Sequence, residues 1–522
     1  LPPCPRAKSQ LNSAVRPPPM WRYPVGEGAK RVTTGAVITA LTFRKPRSDR
    51  VSGNRAGLDG KGGCSKVAAL GDWLRRPFDA LMEARGLLMP FATVALGLGI
   101  FLWFQMPVEP GLAHYGVALV SALSVYLALA AIFPQMLGEA YRRVGDFRRL
   151  DAPIFVVTSE FGTLNMWDWE IVAYLEGEGV STFAPYTLEQ TRMLCRAVAA
   201  RRQLRGSKFL VFQDNPGEGF QAPIFKRFYW WEDEAAQRLL DRFGITIVKK
   251  SFRDFGARAR AIPNAAAAEE WTRWQWPVAL AEQPLLSAVK VYLAMREELA
   301  ADLAIVSAGI NCLNESHFSD TTPCLAWMML YEEGRLIWGC EADTLSMATK
   351  YILHRALGTP IMMTNLYPFL MAGPALKHER IPSFPDVSQF ADKNQENYVL
   401  VAHCGYFGLL PPSFGTEWTM RPKVLAIVDD NAHAIDARFP TGPVTLAKLH
   451  PAMDRLTAVE GTLEGYAQYP GSDCLNGGVI HVPDGHRLVR RATSHHYLLT
   501  TGHNLNDMRL GMSVFGVGVE EV

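Results

Sequence analysis

The sequence has few cysteines and no cysteine motif. Its eight cysteines are scattered over 522 residues, without a C-x-x-C pair or the spacing of a zinc finger. This usage favours reduced thiols in a cytosolic compartment over a disulfide framework. The sequence also lacks a strong charge of one sign. Its net charge of +2 at pH 7 argues against a nucleic-acid-binding protein.

Nucleotide-binding motifs are also missing. The glycine-rich loop at 213–220, "QDNPGEGF", follows a predicted strand and precedes a predicted helix, so it could cradle a phosphate. It has neither the G-x-G-x-x-G pattern nor the lysine of a P-loop. The favoured interpretation of this loop is a turn at the rim of a sheet. The sequence as a whole shows no internal repeat.

Two long runs carry no charged residue, namely 86–105 and 115–133. Each could cross a hydrocarbon core of about 30 Å as a helix, and arginines flank the pair on both outer sides. The sequence therefore predicts a two-helix transmembrane hairpin within 77–150 that contacts the lipid bilayer through residues 86–133. The main domain is then membrane-anchored and cytoplasmic. A pair of buried helices in a soluble core is the alternative.

Before the hairpin, residues 1–76 are basic and resemble a linker, and we predict a disordered segment without function. After it, predicted strands and helices alternate, which is typical of doubly wound parallel sheets. We expect an α/β fold with two such domains, 151–285 and 286–396. Short strands and turns then predict a β-rich C-terminal domain at 397–522, as a small barrel or sandwich.

Acids stand where one of the predicted strands ends. In "IWGCEADTLSMATKYIL" an apolar run is followed by Glu341 and Asp343, and then by a helical pattern. Ligands of α/β proteins bind at the carboxyl edge of the sheet, which makes these carboxylates candidates for a site. Alternatively, they cap the positive end of the following helix.

Histidines supply the other candidate ligands: His403 in "LVAHCGYFG", and His495, His496 and His503 in "ATSHHYLLTTGHN". Adjacent residues of a strand point to opposite faces, so only one of His495 and His496 should face a shared site. Carboxylate and imidazole ligands together suit Mn²⁺ or a similar divalent cation, with positions left open for a substrate.

From about residue 151 to 522 the chain resembles the L-fucose and L-arabinose isomerases. The motifs that carry this resemblance are "CEADTLSMATKYIL", "TNLYP", "AHCGYFG", "GPVTLAKL" and "SHHYLLTTGH". The resemblance implies two α/β domains, a β-rich C-terminal domain and an oligomer with active sites between domains. It also implies Mn²⁺-dependent conversion of an aldose to a ketose through an ene-diol.

The family's metal-binding and proton-transferring glutamate falls on Glu341, and its metal-binding histidine falls on His496. Its second carboxylate falls on Asn365, whose oxygen can bind a metal but cannot accept a proton at neutral pH. Either Asp343 or Glu315 then serves as the base, or the chemistry differs, or catalysis has been lost. His403, His495 and His503 are the predicted substrate-binding residues, and Glu341, Asn365 and His496 the predicted metal ligands.

Two functions follow from these residues. The first is a metal-dependent isomerase of a sugar or sugar-like molecule, tethered to the membrane. The second is a non-catalytic, isomerase-like scaffold subunit of a membrane complex. Asn365 and the predicted hairpin favour the scaffold, whereas Glu341, His496 and His503 favour the isomerase. If Glu341 and His496 are ligands, their side chains should converge within about 5 Å, because direct ligation requires roughly 2 Å from each to the ion.

Overall fold

The structure is a computed structural model. It describes residues 130–132, 141–150, 154–156, 165–214, 224–312, 318–368, 389–403, 407–422, 431–467 and 477–522.

The strands of the described residues are, in chain order, β1 (Ala130–Ile132), β2 (Ile154–Val156), β3 (Thr182–Phe183), β4 (Lys208–Phe212), β5 (Thr246–Lys250), β6 (Ile305–Ile310), β7 (Ile337–Gly339), β8 (Ile361–Pro368), β9 (Tyr398–Ala402), β10 (Glu417–Pro422), β11 (His433–Arg438), β12 (Gly442–Leu449), β13 (Arg455–Ala467), β14 (Gly477–His481), β15 (His496–Thr501) and β16 (Gly518–Glu521).

The α-helices of the same residues are α1 (Val144–Phe147), α2 (Asn165–Gly177), α3 (Leu188–Leu204), α4 (Phe225–Phe228), α5 (Asp233–Phe243), α6 (Phe252–Ala261), α7 (Asn264–Trp271), α8 (Glu282–Ala301), α9 (Cys324–Gly334), α10 (Thr344–Leu357), α11 (Gly485–Arg491) and α12 (Leu505–Ser513).

Two sheets are parallel. β1, β2 and β3 form the smaller one, and the larger has the strand order β5-β4-β6-β7. The two inner strands of the larger sheet read "KFLVF" and "IVSAGI" and are buried over most of their length. Such apolar strands require cover on both faces, as helix crossovers provide in parallel sheets.

The C-terminal strands form a closed antiparallel sheet. Its six strands follow the cyclic order β12-β15-β8-β9-β14-β13, since β12 also pairs with β13. β16 extends it by pairing parallel to β13, and β10 and β11 form a separate hairpin. Closure pairs the backbone groups that the edges of an open sheet would leave exposed.

Helix α10 joins these two parts of the molecule. It packs against β6 and β7 of the parallel sheet, against β8, β12 and β15 of the closed sheet, and against α3 and α12. Asp343 caps its first turn, and Gly358, at φ 76°, ends it. A helix surrounded in this way is buried on nearly all sides. Its residues 344–353 are all buried, the polar Ser346, Thr349 and Lys350 among them. The ends of α10 are therefore fixed between the two sheets.

The predicted fold class is wrong in its membrane hairpin. No helix among the described residues is long and apolar enough to cross a membrane. Residues 130–132, at the end of the predicted second span, form β1 and pair with β2 instead. The rest of 86–133 lies outside the described residues, as does 1–76. A short apolar run serves a buried parallel strand as well as a helix, which explains the error.

The predicted pair of doubly wound domains also differs from the observed sheets. β4 and β5 lie within 151–285, yet they share one sheet with β6 and β7 from 286–396. β8, which the sequence places before residue 397, belongs to the closed sheet through its pairing with β9 and β15. The local pattern of a strand indicates that it is buried, but it does not specify its partner.

Candidate metal centre

Glu341 lies in a single 3-10 turn, Cys340–Ala342, at the carboxyl edge of the parallel sheet. Glu341 and Ala342 have φ values of 53° and 54°, a left-handed conformation that costs a residue with a side chain about 1–3 kcal/mol. Two glycines allow this turn to pack closely on the sheet. A Cβ atom at Gly309 would lie 2.8 Å from the Cα of Ala342, and one at Gly339 would overlap Met347.

The short aromatic segment 229–231 holds this turn in place through hydrogen bonds. The backbone N–H of Thr344 donates to the carbonyl of Tyr229 at 3.1 Å. The indole N–H of Trp231 donates to the carbonyl of Ala342 at 2.8 Å, and the Tyr229 hydroxyl donates to the Glu341 carboxylate. Burial and that carboxylate raise the pKa of Tyr229 well above its usual range. The hydroxyl therefore stays protonated and serves as a donor.

Asp343 is completely buried, and several donors occupy its carboxylate. Its Oδ1 accepts the backbone N–H of Ser346 at 2.8 Å, as the cap of α10. Its Oδ2 accepts from the Ser346 hydroxyl at 2.8 Å, from Lys448 Nζ at 3.0 Å and from His496 Nδ1 at 2.9 Å. Burial alone raises the pKa of Asp343, but Lys448 and His496 outweigh it and hold that pKa well below its usual range. Asp343 is thus a helix cap and a positioning residue for His496.

His496 points its second nitrogen at Glu341. Because Asp343 can only accept, the Nδ1 of His496 donates to it, and the Nε2 is the nitrogen that faces Glu341. Nε2 is buried, has no hydrogen-bond partner among the described residues, and lies 3.8 Å from a carboxylate oxygen of Glu341. The Tyr229 ring stacks on the imidazole at a centroid distance of 5.5 Å. The convergence predicted for Glu341 and His496 is therefore observed, while their role as ligands stays a prediction.

His495 joins the same cluster. The cluster has three ligand atoms, one each from Glu341, His495 and His496, and these atoms lie within 4.8 Å of one another. The expectation that only one of the adjacent histidines faces the site is wrong. Side chains alternate between two faces only within a strand, and His495 precedes β15, which begins at His496. His495 reaches the surface, yet desolvation of its ring and the neighbouring His496 lower its pKa to about 3. Its imidazole is therefore neutral and able to bind a cation.

Asn365 lies beside this cluster. Its Cα is paired with that of His496 across β8 and β15, so the two side chains share one face of the sheet. Its Nδ2 donates to the Tyr367 hydroxyl at 3.4 Å, and its Oδ1 is buried without a hydrogen-bond partner among the described residues. The resemblance places a carboxylate at this position, on the face of the sheet that Asn365 shares with His496.

Two other predicted histidines, His403 and His503, are not among the ligand atoms that converge with Glu341. His403 is buried directly after β9, and His503 is exposed with its Nε2 3.0 Å from the carbonyl of Gly461. Neither belongs to the group formed by Glu341 and its two histidines in the described part of the chain. Glu315, the alternative base, and most of the loop 213–220 lie outside the described residues.

Sequence reasoning missed Tyr229 and Lys448. Tyr229 opens "YWW", an aromatic run that could have indicated a buried site but carries no metal-binding pattern. Lys448 lies in "GPVTLAKL", a motif that carries the resemblance but implies no function for the lysine. Only the structure shows that both side chains reach the turn after β7.

No protein-family model matches the chain, and no curated protein matches it either. The interpretation of this cluster therefore depends on its own geometry, and the resemblance to the sugar isomerases stays a prediction.

Proposed function

We propose that the protein is a metal-dependent aldose–ketose isomerase, of the L-fucose and L-arabinose isomerase type, that acts on a sugar or sugar-like polyol. The observation that carries this proposal is the convergence of Glu341, His495 and His496, with Asp343 bonded behind His496. Metal-binding histidines usually donate their other ring N–H to a carboxylate in this way. A buried polar atom without a hydrogen-bond partner is costly. The unpartnered Nε2 of His496 therefore favours a ligand role over packing alone.

The residues present fit a divalent cation. Glu341, His495 and His496 would hold it, and Asn365 can add an amide oxygen through its unpartnered Oδ1. One carboxylate and two imidazoles suit a divalent transition-metal ion and leave positions open, and the resemblance implies that this ion is Mn²⁺. When bound, the ion supplies Lewis acidity that polarises a carbonyl and holds neighbouring hydroxyl oxygens.

Glu341 is the carboxylate that serves proton transfer between C1 and C2 in this proposal. Asp343 does not serve as the base, because His496, Lys448 and Ser346 occupy its oxygens. The Tyr229 hydroxyl donates to Glu341, which fixes the position of the carboxylate. The same Tyr229 ring covers His496 and excludes water from one side of the cluster.

The second candidate function is a non-catalytic, isomerase-like scaffold. Asn365 favours it, since this residue lies beside His496 where the resemblance implies a second carboxylate. An amide carries no charge and accepts no proton at neutral pH. A protein that has lost isomerase activity would keep the fold and some of the metal ligands but would not convert a substrate.

Metal binding and proton exchange test the proposal together. We expect about one Mn²⁺ per chain by calorimetry, and deuterium from D₂O incorporated at C2 of at least one sugar in a panel of pentoses and hexoses. Glu341→Gln should reduce this incorporation by about 10²–10⁴-fold, the usual contribution of a positioned general base. Asn365→Asp should change it only modestly.

A different pattern would support the scaffold. Wild-type protein without Mn²⁺ and without exchange on any sugar would contradict the isomerase proposal. Mn²⁺ affinity gained only by Asn365→Asp would then identify the lost ligand. Exchange that survives Glu341→Gln would point to another base.

A second prediction concerns the glycine beneath the turn. Gly309→Ala should lower the stability by about 1–3 kcal/mol through overpacking, because the new Cβ meets the backbone of Ala342 rather than a mobile side chain. Mn²⁺ affinity should fall with it, since Glu341 moves with Ala342. Gly334→Ala is the matched control, because a Cβ there meets nothing within 4 Å. Equal thermal midpoints and Mn²⁺ affinities for the two variants would contradict the prediction.

A further inference from the structure

A cavity opens beside the exposed histidine of the cluster. It has a volume of about 530 Å³, and its lining includes Arg227, Trp230, Leu366, Thr493, Ser494 and His495. This volume lies within the range of small-molecule sites, roughly 300–1,000 Å³. His495 belongs both to the cavity and to the cluster with Glu341, so a molecule in this cavity would extend toward the cluster.

Two lining residues carry buried polar atoms without partners. The indole Nε1 of Trp230 and the hydroxyl of Thr493 make no hydrogen bond among the described residues. A buried donor or acceptor left unsatisfied destabilises the protein, so such atoms indicate a ligand that supplies the missing partners. An indole N–H only donates, whereas a hydroxyl donates and accepts. A polyhydroxylated molecule offers both complements.

Trp230 is held rigidly in its place. It has φ 60°, a left-handed conformation that a tryptophan rarely adopts. The Thr344 hydroxyl donates to its carbonyl at 2.9 Å, and the neighbouring Trp231 is bonded to Ala342. The same turn that positions Glu341 therefore positions Trp230, so the cavity wall and the cluster keep a fixed relation.

Arg227 is the charged residue among the described residues of the cavity lining. Its Nε lies 3.3 Å from the carboxylate of Glu232, and its terminal nitrogens have no hydrogen-bond partner within the part of the chain that the structure describes. The lining residues that the structure describes include no carboxylate. A guanidinium with its terminal N–H groups free is suited to bidentate contact with a phosphate or a carboxylate.

We propose that this cavity binds the end of the substrate remote from Glu341, and that Arg227 selects a polyhydroxylated substrate with an anionic group at that end. The substrate class is then a sugar phosphate or a sugar acid rather than a neutral sugar. The polyol part of this inference rests on the proposed function, whereas the preference for an anion does not require the metal.

The test is calorimetric binding of three probes to the full chain: ribose, ribose 5-phosphate and glucuronate, each with and without Mn²⁺. The two anions should bind at least about tenfold more tightly than ribose, since hydrogen bonds to charged groups are stronger than those between neutral groups. Arg227→Gln should bring both anions to the affinity of ribose and leave ribose unchanged. Lys226→Gln, which removes the same charge one residue away and outside the cavity, should change none of the three.

A further variant tests the buried indole N–H of Trp230. Trp230→Phe keeps the ring and removes the N–H, so it should weaken all three probes several-fold. The tighter of the two anions identifies phosphate or carboxylate as the preferred group. An anion preference that survives Arg227→Gln, equal affinities for all three probes, or no binding of any probe would overturn the inference. Wild-type protein that fails to bind Mn²⁺ would overturn the proposed function alone, because the Arg227 effect must still be present in metal-free protein.

Discussion

Replacing Lys448 by methionine is expected to lower the free energy of unfolding by about 3–5 kcal/mol, because it leaves the buried carboxylate of Asp343 without its cation. Both side chains have no solvent exposure. Burial lowers the pKa of Lys448, and the Asp343 carboxylate opposes that shift. Methionine keeps most of the volume of lysine, so the expected loss reflects charge rather than a cavity.

Two further variants separate the charge effect from packing. In Asp343→Asn/Lys448→Met both charges are removed, and asparagine remains a good helix cap. This double variant should recover most of the lost stability in urea and thermal unfolding. Lys208→Met is the comparison for a half-exposed pair, Lys208 with Asp302, and should cost at most about 1 kcal/mol. A midpoint for Lys448→Met that matches that of Lys208→Met would refute the buried-pair argument.

The fold was predictable from sequence only at the level of local pattern. The apolar strands "KFLVF" and "IVSAGI" are buried and parallel, as their composition predicts. Their partnership in one sheet joins segments that are far apart in the chain, and no local pattern specifies this pairing. The same is true of β8, which precedes β9 in sequence but closes the C-terminal sheet through β15.

The candidate site was partly predictable for a similar reason. Glu341 follows a strand in sequence, and the carboxyl edge of a parallel sheet is a general place for ligands, so its position could be inferred. His496 was found through its motif. The roles of Asp343, Lys448 and Tyr229 depend on hydrogen bonds between distant segments. Asp343 as helix cap and as partner of His496 combines two interpretations that the sequence presented as alternatives.

The largest effect on metal binding is expected at His496. If its Nε2 is a ligand, His496→Gln should abolish calorimetric Mn²⁺ binding at concentrations that saturate the wild type. Loss of an outer partner of a metal ligand typically costs 10–100-fold in affinity. Asp343→Asn/Lys448→Met should therefore weaken Mn²⁺ by about that factor without abolishing binding, because the imidazole remains but its Nδ1 loses the anionic acceptor.

His503→Gln provides the matched control for this series. The substitution is the same in kind, but His503 is exposed and lies outside the group around Glu341, so Mn²⁺ affinity should not change. The order of affinities that we expect is wild type and His503→Gln, then the double variant, then His496→Gln. If the double variant lost Mn²⁺ as completely as His496→Gln while keeping its thermal midpoint, Asp343 would itself be a ligand. Retention of wild-type affinity by His496→Gln would remove His496 from the site, and with it the observation on which the metal centre rests.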